Sequence, residues 1–169
     1  MEIEFSDYLP HNLNQAVCIS GRQSFYFGNK KFLILKDQGE NEKAFEIIYE
    51  YHCSPFQQAQ LYNNLLIAGH ENYFYLFDLK KNTNLAAIKL EGYFGNFQIH
   101  NEDIYICDAG SLTRVSLQGS IIWRNNHLGI DGVIIERFQD EKIFGSGEWD
   151  PPGGWRDFIL SESNGTLLI

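Results

Sequence analysis

One segment gathers the side chains best suited to contact a ligand or partner: Gly145-Ser146-Gly147-Glu148-Trp149-Asp150-Pro151-Pro152-Gly153-Gly154-Trp155-Arg156-Asp157. Two indoles stand there among Glu148, Asp150 and Asp157, and the chemistry they offer is recognition. An indole gives a large rigid contact at small entropic cost, and the carboxylates can meet basic groups on a partner. Pro151 and Pro152 stiffen the segment, while Gly153 and Gly154 permit a tight reversal. The same residues also read as a rigid hairpin whose tryptophans pack over the end of a sheet. Gly145-Ser146-Gly147 resembles part of a nucleophile elbow, but Ser146 lies between two strand-like runs. A true elbow exposes its serine ahead of a helix.

The other reactive residues are scattered. His11, His52, His70, His100 and His127 show neither H-x-H nor H-E-x-x-H spacing, and His70, next to Glu71, reads as a surface turn residue. Cys18, Cys53 and Cys107 lack C-x-x-C spacing and read as reduced thiols. Cys18 and Cys107 sit in apolar runs and read as core filling. No phosphate-cradling glycine loop appears. These features predict no enzyme, no cofactor and no metal site.

Charge narrows the partner. The chain has 13 Lys+Arg against 22 Asp+Glu, a net charge of −9. Phosphate-backbone binding draws on counterions displaced by clustered Lys and Arg, so nucleic acid is not the expected partner and a basic protein is. Carboxylates also gather at Glu40 and Glu42, Glu102-Asp103, Asp131 and Asp140-Glu141, mostly as solvating turn residues. Those that share a face with the Trp-rich segment would add to a field drawing in a cationic partner. The expected partner-binding set is Glu148, Trp149, Asp150, Trp155, Asp157 and Asp131. Met1 to Asp7 has neither the basic start nor the apolar stretch of a secretory signal. Apolar runs fall well short of the roughly 18 residues of a membrane helix. A cytoplasmic location without a membrane partner is therefore expected.

Strands must position these residues, because helical periodicity is scarce. Short β-branched and aromatic runs appear at Ala16–Ile19, Ser24–Phe27, Phe32–Leu35, Phe45–Tyr49, Leu65–Ala68, Tyr73–Phe77 and Ala86–Leu90, with a similar series after them. Turn residues separate them at the roughly 8 to 12 residue spacing of all-β sandwiches, barrels and propellers. A unit of strand, glycine turn, strand, polar turn and strand recurs around Gly28, Gly69, Gly110 and Gly147. That interval is close to the roughly 40 to 45 residues of a four-stranded propeller blade. Repeats then fall at about 15–51, 57–92, 96–129 and 130–169 of a single domain. Each opens on an inner strand: Gln15–Ile19, Gln57–Leu61, Asn96–His100 and Gly132–Phe138. The expected fold is all-β, a small propeller-like array of about four antiparallel three- to four-stranded sheets, closed or partly open. Met1–Tyr8 is an extra strand available to pair with the last repeat and close the ring, which would remove exposed edges. An open stack and a bent sandwich are the alternatives.

The run Val115-Ser116-Leu117-Gln118-Gly119-Ser120-Ile121-Ile122-Trp123-Arg124-Asn125-Asn126-His127-Leu128-Gly129 resembles a repeat of the quinoprotein-type, WD40-like propeller family. Gly119, Trp123 and Gly129 match that repeat's turn glycine, tryptophan and second glycine. Leu160–Leu168 keeps the turn glycine at Gly165, whereas Asp37–Tyr49 and Asp78–Leu90 lack the pattern. The resemblance implies a propeller, and Trp123 is then expected between neighbouring sheets. The family's calcium-binding acidic cluster and adjacent cysteines have no counterpart, so no quinone cofactor is implied. Orphan propeller-like proteins that resemble this chain are often bacterial immunity proteins. This resemblance implies neutralisation of a cognate toxin, and the acidic surface, which can occupy a phosphate-binding cleft, points to a basic nuclease domain as the target. A saccharide- or small-molecule-binding module that stacks ligands on Trp149 and Trp155, or a housekeeping interaction scaffold, fits the same residues.

Overall fold

The structure is a computed structural model that describes residues 2–21, 26–36 and 42–169. Met1, Ser24, Phe25, Asp37 and Glu40, which enter the expectations above, lie outside the described residues. The strands in chain order are β1 (Glu2–Ser6), β2 (Val17–Cys18), β3 (Asn29–Lys36), β4 (Glu42–Tyr49) and β5 (Gln57–Tyr62). Next come β6 (Leu65–His70), β7 (Tyr73–Asp78), β8 (Thr83–Lys89), β9 (Phe94–His100) and β10 (Asp103–Asp108). The last are β11 (Leu112–Ser116), β12 (Ile121–Asn125), β13 (Val133–Gln139), β14 (Lys142–Glu148) and β15 (Trp155–Ser161). They form four small sheets with strand orders β1-β3-β4-β2, β5-β6-β7-β8, β9-β10-β11-β12 and β13-β14-β15. Neighbours run antiparallel except β2, which lies parallel to β4. The chain is thus all-β over its described residues, as its turn spacing implied.

Turn chemistry sets the local pairing. Asn101-Glu102 and Asp140-Glu141 each place two successive residues at positive φ (48° and 63°, 52° and 58°). This is the two-residue hairpin geometry whose twist matches the flanking strands, and Asn and Asp tolerate it best among residues with a side chain. Glu102, Asp140 and Glu141 are therefore turn residues, as expected. Asp103 is instead the first residue of β10 and accepts from the Arg114 guanidinium at 2.8 and 2.6 Å.

Three apolar clusters join the sheets in series. The first links Leu33, Phe45 and Ile47 to Leu66, Ala68, Tyr75 and Phe77. The second links Leu65, Ile67, Phe74 and Leu76 to Phe97, Ile104 and Ile106. The third links Tyr105, Cys107 and Trp123 to Val133, Ile143, Phe158 and Leu160. Successive residues of a strand point to opposite faces, so β6, β7 and β10 each feed two clusters. That explains why Leu65–Ala68 and Tyr73–Phe77 read as unbroken apolar runs without polar alternation. Trp123 is 8% exposed between the third and fourth sheets, and its indole N–H donates to the Glu162 carbonyl at 3.0 Å. It lies where the resemblance put it.

Two features differ from expectation. β1 pairs with β3 of its own sheet and not with the last repeat. Ile3 and Phe5 pack onto the first cluster, while Glu4 and Asp7 form ion pairs with Lys36 and Lys31. β1 lies beside β5, β5 beside β9 and β9 beside β13, so β1 occupies the inner place expected of Gln15–Ile19. Val17–Cys18 sits at the opposite edge. Among the described residues no apolar cluster joins the fourth sheet to the first. The outer edge of the fourth sheet carries the C-terminal residues, with Leu168 N–H donating to the Ile159 carbonyl at 2.7 Å.

The recurrent glycines also occupy unlike positions. Gly28 precedes β3, Gly69 and Gly147 lie within β6 and β14, and Gly110 is in the β10–β11 turn. Equivalent points of the four sheets are instead the second strands, which start at residues 29, 65, 103 and 142. Gly147 has a steric reason of its own, since a Cβ there would lie 1.7 Å from the Leu128 carbonyl oxygen.

Candidate functional site

The three linkers between sheets are fastened in a common way. Glu71, in the turn after β6, accepts from the backbone N–H groups of Cys53 and Ser54 at 2.5 and 2.9 Å. Asp108, ending β10, accepts from Glu91 N–H at 3.1 Å. The carbonyl of Glu148, ending β14, accepts from Ile130 N–H at 2.8 Å. Each linker therefore docks on the second strand of the sheet it enters. The linkers also reach back: Phe94 N–H donates to Glu71 O and Gly132 N–H to Ala109 O, at 2.6 and 2.7 Å. This bonding brings Phe56, Tyr93 and Asp131 together at one end of β5, β9 and β13.

There they line a cavity of about 530 Å³, completed by Ile134, Glu148 and Trp155. Trp155 opens β15 opposite Glu148 in the ladder. The tip of its ring lies against Gly132, where a Cβ would come within 3.1 Å of it. Trp155 is 43% exposed and Phe56 52%, so both rings present apolar surface to whatever enters. The Phe56 and Tyr93 rings lie 6.4 Å apart. The Tyr93 hydroxyl donates to Asp131, shared between its carbonyl and, at 3.0 Å, its Oδ1. Burial, and then that bond and the charge of Asp131, push the phenol up to about 12. It therefore remains a donor at neutral pH. Glu148 Oε1 accepts from Gly153 N–H at 2.6 Å, which fixes the carboxylate at the wall. Neither Asp131 nor Glu148 is ion-paired among the described residues.

Of the six residues expected to bind a partner, Asp131, Glu148 and Trp155 share this cavity. Trp149 and Asp157 line a separate depression of about 210 Å³ with His127, Leu128 and Phe158. The Arg156 guanidinium lies 5.7 Å from the Trp149 ring. Asp150 is exposed in the β14–β15 loop, its carbonyl accepting from Gly154 N–H at 2.9 Å. Neighbouring residues along an extended chain project to opposite faces, which turns Trp149 away from Glu148 and Trp155. The loop therefore serves two surfaces. Phe56, Tyr93 and Ile134 were not singled out from the sequence. The signal available was position, since Phe56 and Tyr93 are linker residues immediately before a residue that opens or precedes a first strand, at equivalent points of successive repeats.

A second polar group lies between the first and second sheets. His70, expected on the surface, is 4% exposed, with its ring edge-to-face on Tyr49 at 4.7 Å and stacked on Phe5 at 6.0 Å. The turn itself is covered by β1, the end of β4 and the linker, and that is why the expectation failed. His70 Nδ1 is buried with no hydrogen-bond partner, and burial pushes the imidazole down to about 4. Burial raises the Glu71 carboxyl, but the N–H donors of Cys53 and Ser54 and the His52 ring outweigh it and hold the group below its ordinary value. Cys53, His52 and Glu71 look like the members of a thiol triad, yet the electrostatics run the other way. Burial and the Glu71 carboxylate push the Cys53 thiol up to about 11, whereas an activated nucleophile needs a depressed one. Ser146 lies mid-strand in β14 between Ile134 and Asp157, with no helix after it.

No known protein family and no curated protein matches this chain. Among the described residues no helix is long and apolar enough to cross a membrane.

Proposed function

We propose that this protein is a non-catalytic binding module whose recognition surface is the acidic, aromatic-lined end of β5, β9 and β13. In this reading the four sheets form an open propeller-like arc of quinoprotein type. The carrying observation is the convergence of Phe56, Ile134 and Trp155, all exposed, with the unpaired carboxylates Asp131 and Glu148 around one cavity. Rigid aromatic anchors in a desolvated pocket supply most of the affinity of a typical protein interface. A net charge of −9 adds attraction for a basic partner and raises its association rate. The biological role that fits best is that of a bacterial cytoplasmic immunity protein that covers the active site of a basic toxin domain, such as a nuclease.

The test is co-purification with the product of an adjacent toxin-like reading frame, followed by substitution of Phe56, Asp131, Glu148 and Trp155. A complex weakened by these changes and insensitive to Trp149 and Asp150 supports the reading; no complex and no protection of cells removes it. A second reading takes its support from the cavity volume, which falls in the range of roughly 300 to 1,000 Å³ typical of small-ligand pockets. A saccharide or other small molecule that raises the melting temperature would favour that reading.

A further inference from the structure

We propose that the cavity between the ends of β5, β9 and β13 takes the guanidinium of an arginine side chain presented by the protein partner. The inference rests on the binding-module reading and names what the site holds. Its polar lining is rich in acceptors and poor in donors. Asp131 Oδ1 is occupied by the Tyr93 hydroxyl and Glu148 Oε1 by Gly153 N–H, while Asp131 Oδ2 and Glu148 Oε2 receive no donor among the described residues. Tyr93 spends its single proton on Asp131, which leaves the Asn96 amide and the Trp155 indole N–H as the lining's side-chain N–H donors, against the acceptors of two carboxylates. A sugar hydroxyl needs both donors and acceptors, and an anion needs donors. A cation needs acceptors only.

Shape selects among cations. The walls are aromatic: the Phe56 and Tyr93 rings are tilted by 31° to each other, and the tip of the Trp155 ring lies against the Cβ-less Gly132. Guanidinium is planar and weakly hydrated, stacks on such faces and meets carboxylates in its own plane. An ammonium is more strongly hydrated and gains less from the walls. No Lys, Arg or His lines the cavity, so nothing within it competes for the two carboxylates.

The test uses the full chain labelled with ¹⁵N and three capped tripeptides, Ac-Gly-Arg-Gly-NH2 and its lysine and citrulline counterparts. Citrulline keeps the shape and loses the charge. The expected result is saturable shifts of the Gly132 amide and the Trp155 indole with the arginine peptide, with Trp149 unmoved. The lysine and citrulline peptides should bind at least about tenfold more weakly. Asp131→Asn and Glu148→Gln should each weaken arginine binding severalfold, and the rest of the spectrum reports whether each variant is folded. Equal binding of citrulline, equal binding of lysine, or absence of saturable shifts overturns the proposal, as does N-acetylglucosamine moving these signals where arginine does not. Its failure is separable from that of the broader reading. A toxin complex that ignores Asp131→Asn and Glu148→Gln removes the arginine site alone, and arginine binding without any protein complex removes the toxin partner alone.

Discussion

Replacing His70 with Phe should flatten the acid limb of this protein's stability. His70 is wedged between the rings of Tyr49 and Phe5, with Nδ1 unpaired, and burial pushes its imidazole from 6.5 down to about 4. The charged groups that act on it besides Glu71 are Lys31, His52 and Asp7. Because the folded-state value lies below the unfolded one, the fold favours the neutral ring. The stability this represents is fully present above pH 6.5 and is lost as the pH falls towards 4, where the unfolded chain binds a proton that the folded chain refuses. At about 1.4 kcal/mol per pH unit the loss approaches about 3 kcal/mol over that window. For a chain of this size it corresponds to a fall in Tm of roughly 6 to 12 °C. Glu71 acts in the same direction but lower: its depressed carboxyl contributes stability above 4.5 that disappears below that value.

Urea unfolding followed by tryptophan fluorescence at several pH values between 7.5 and 4.5 measures the slope. His70→Phe keeps a ring against Tyr49 and Phe5 and removes the orphan nitrogen, whose burial costs about 1 to 3 kcal/mol. The variant should match or exceed the parent at pH 7.5 and lose most of the slope between 6.5 and 4.5. His70→Leu serves if the larger ring overpacks. A parent protein with flat stability across this range, or a variant that retains the parental slope, would refute the assignment to His70.

Trp123→Ala removes a side chain buried between the third and fourth sheets and its bond to the Glu162 carbonyl. It should cost about 3 to 5 kcal/mol, read as a lower Tm; unchanged melting would show that the third cluster is misassigned. Gly147→Ala drives a Cβ to within 1.7 Å of the Leu128 carbonyl oxygen, whereas a Cβ at Gly28 meets nothing within 4 Å. The first change should destabilise by about 3 kcal/mol or more, while the second should be neutral or stabilising by up to about 1 kcal/mol; denaturant midpoints that shift equally would contradict the close approach. The Cys53 thiol, pushed up to about 11, should react with iodoacetamide at pH 8 on the order of 100-fold more slowly than a free cysteine. Glu71→Gln should speed that reaction, as peptide mapping by mass spectrometry would show, and an unchanged rate would separate the thiol from the carboxylate.

The amino-acid sequence by itself determined the features that depend on near neighbours. Turn pairs such as Asn101-Glu102 and Asp140-Glu141 specify tight hairpins through their own backbone preferences, and the runs between them favour strands whatever lies alongside. The all-β class and the division into four small sheets were legible for that reason, whereas the burial of Trp123 was legible only through the resemblance of its repeat to a propeller family. The site was legible only in part: Asp131, Glu148 and Trp155 belong to it, but Trp149, Asp150 and Asp157 do not line its cavity. Phe56 and Tyr93 looked like spacers because their role comes from linker bonds to Glu71 and Asp108, which lie well away in the chain. β1 carries the Ile3 and Phe5 alternation of any half-buried strand, which does not name its partner; the open edge of β3 and the Lys31 and Lys36 charges do. His70 sits beside a turn, a position that is normally wet, and became dry only when β1 and the linker covered it. Local propensity records what a residue prefers for its own backbone and solvent. Which face ends up covered is decided by what packs on it from elsewhere in the chain, and tertiary structure alone supplies that.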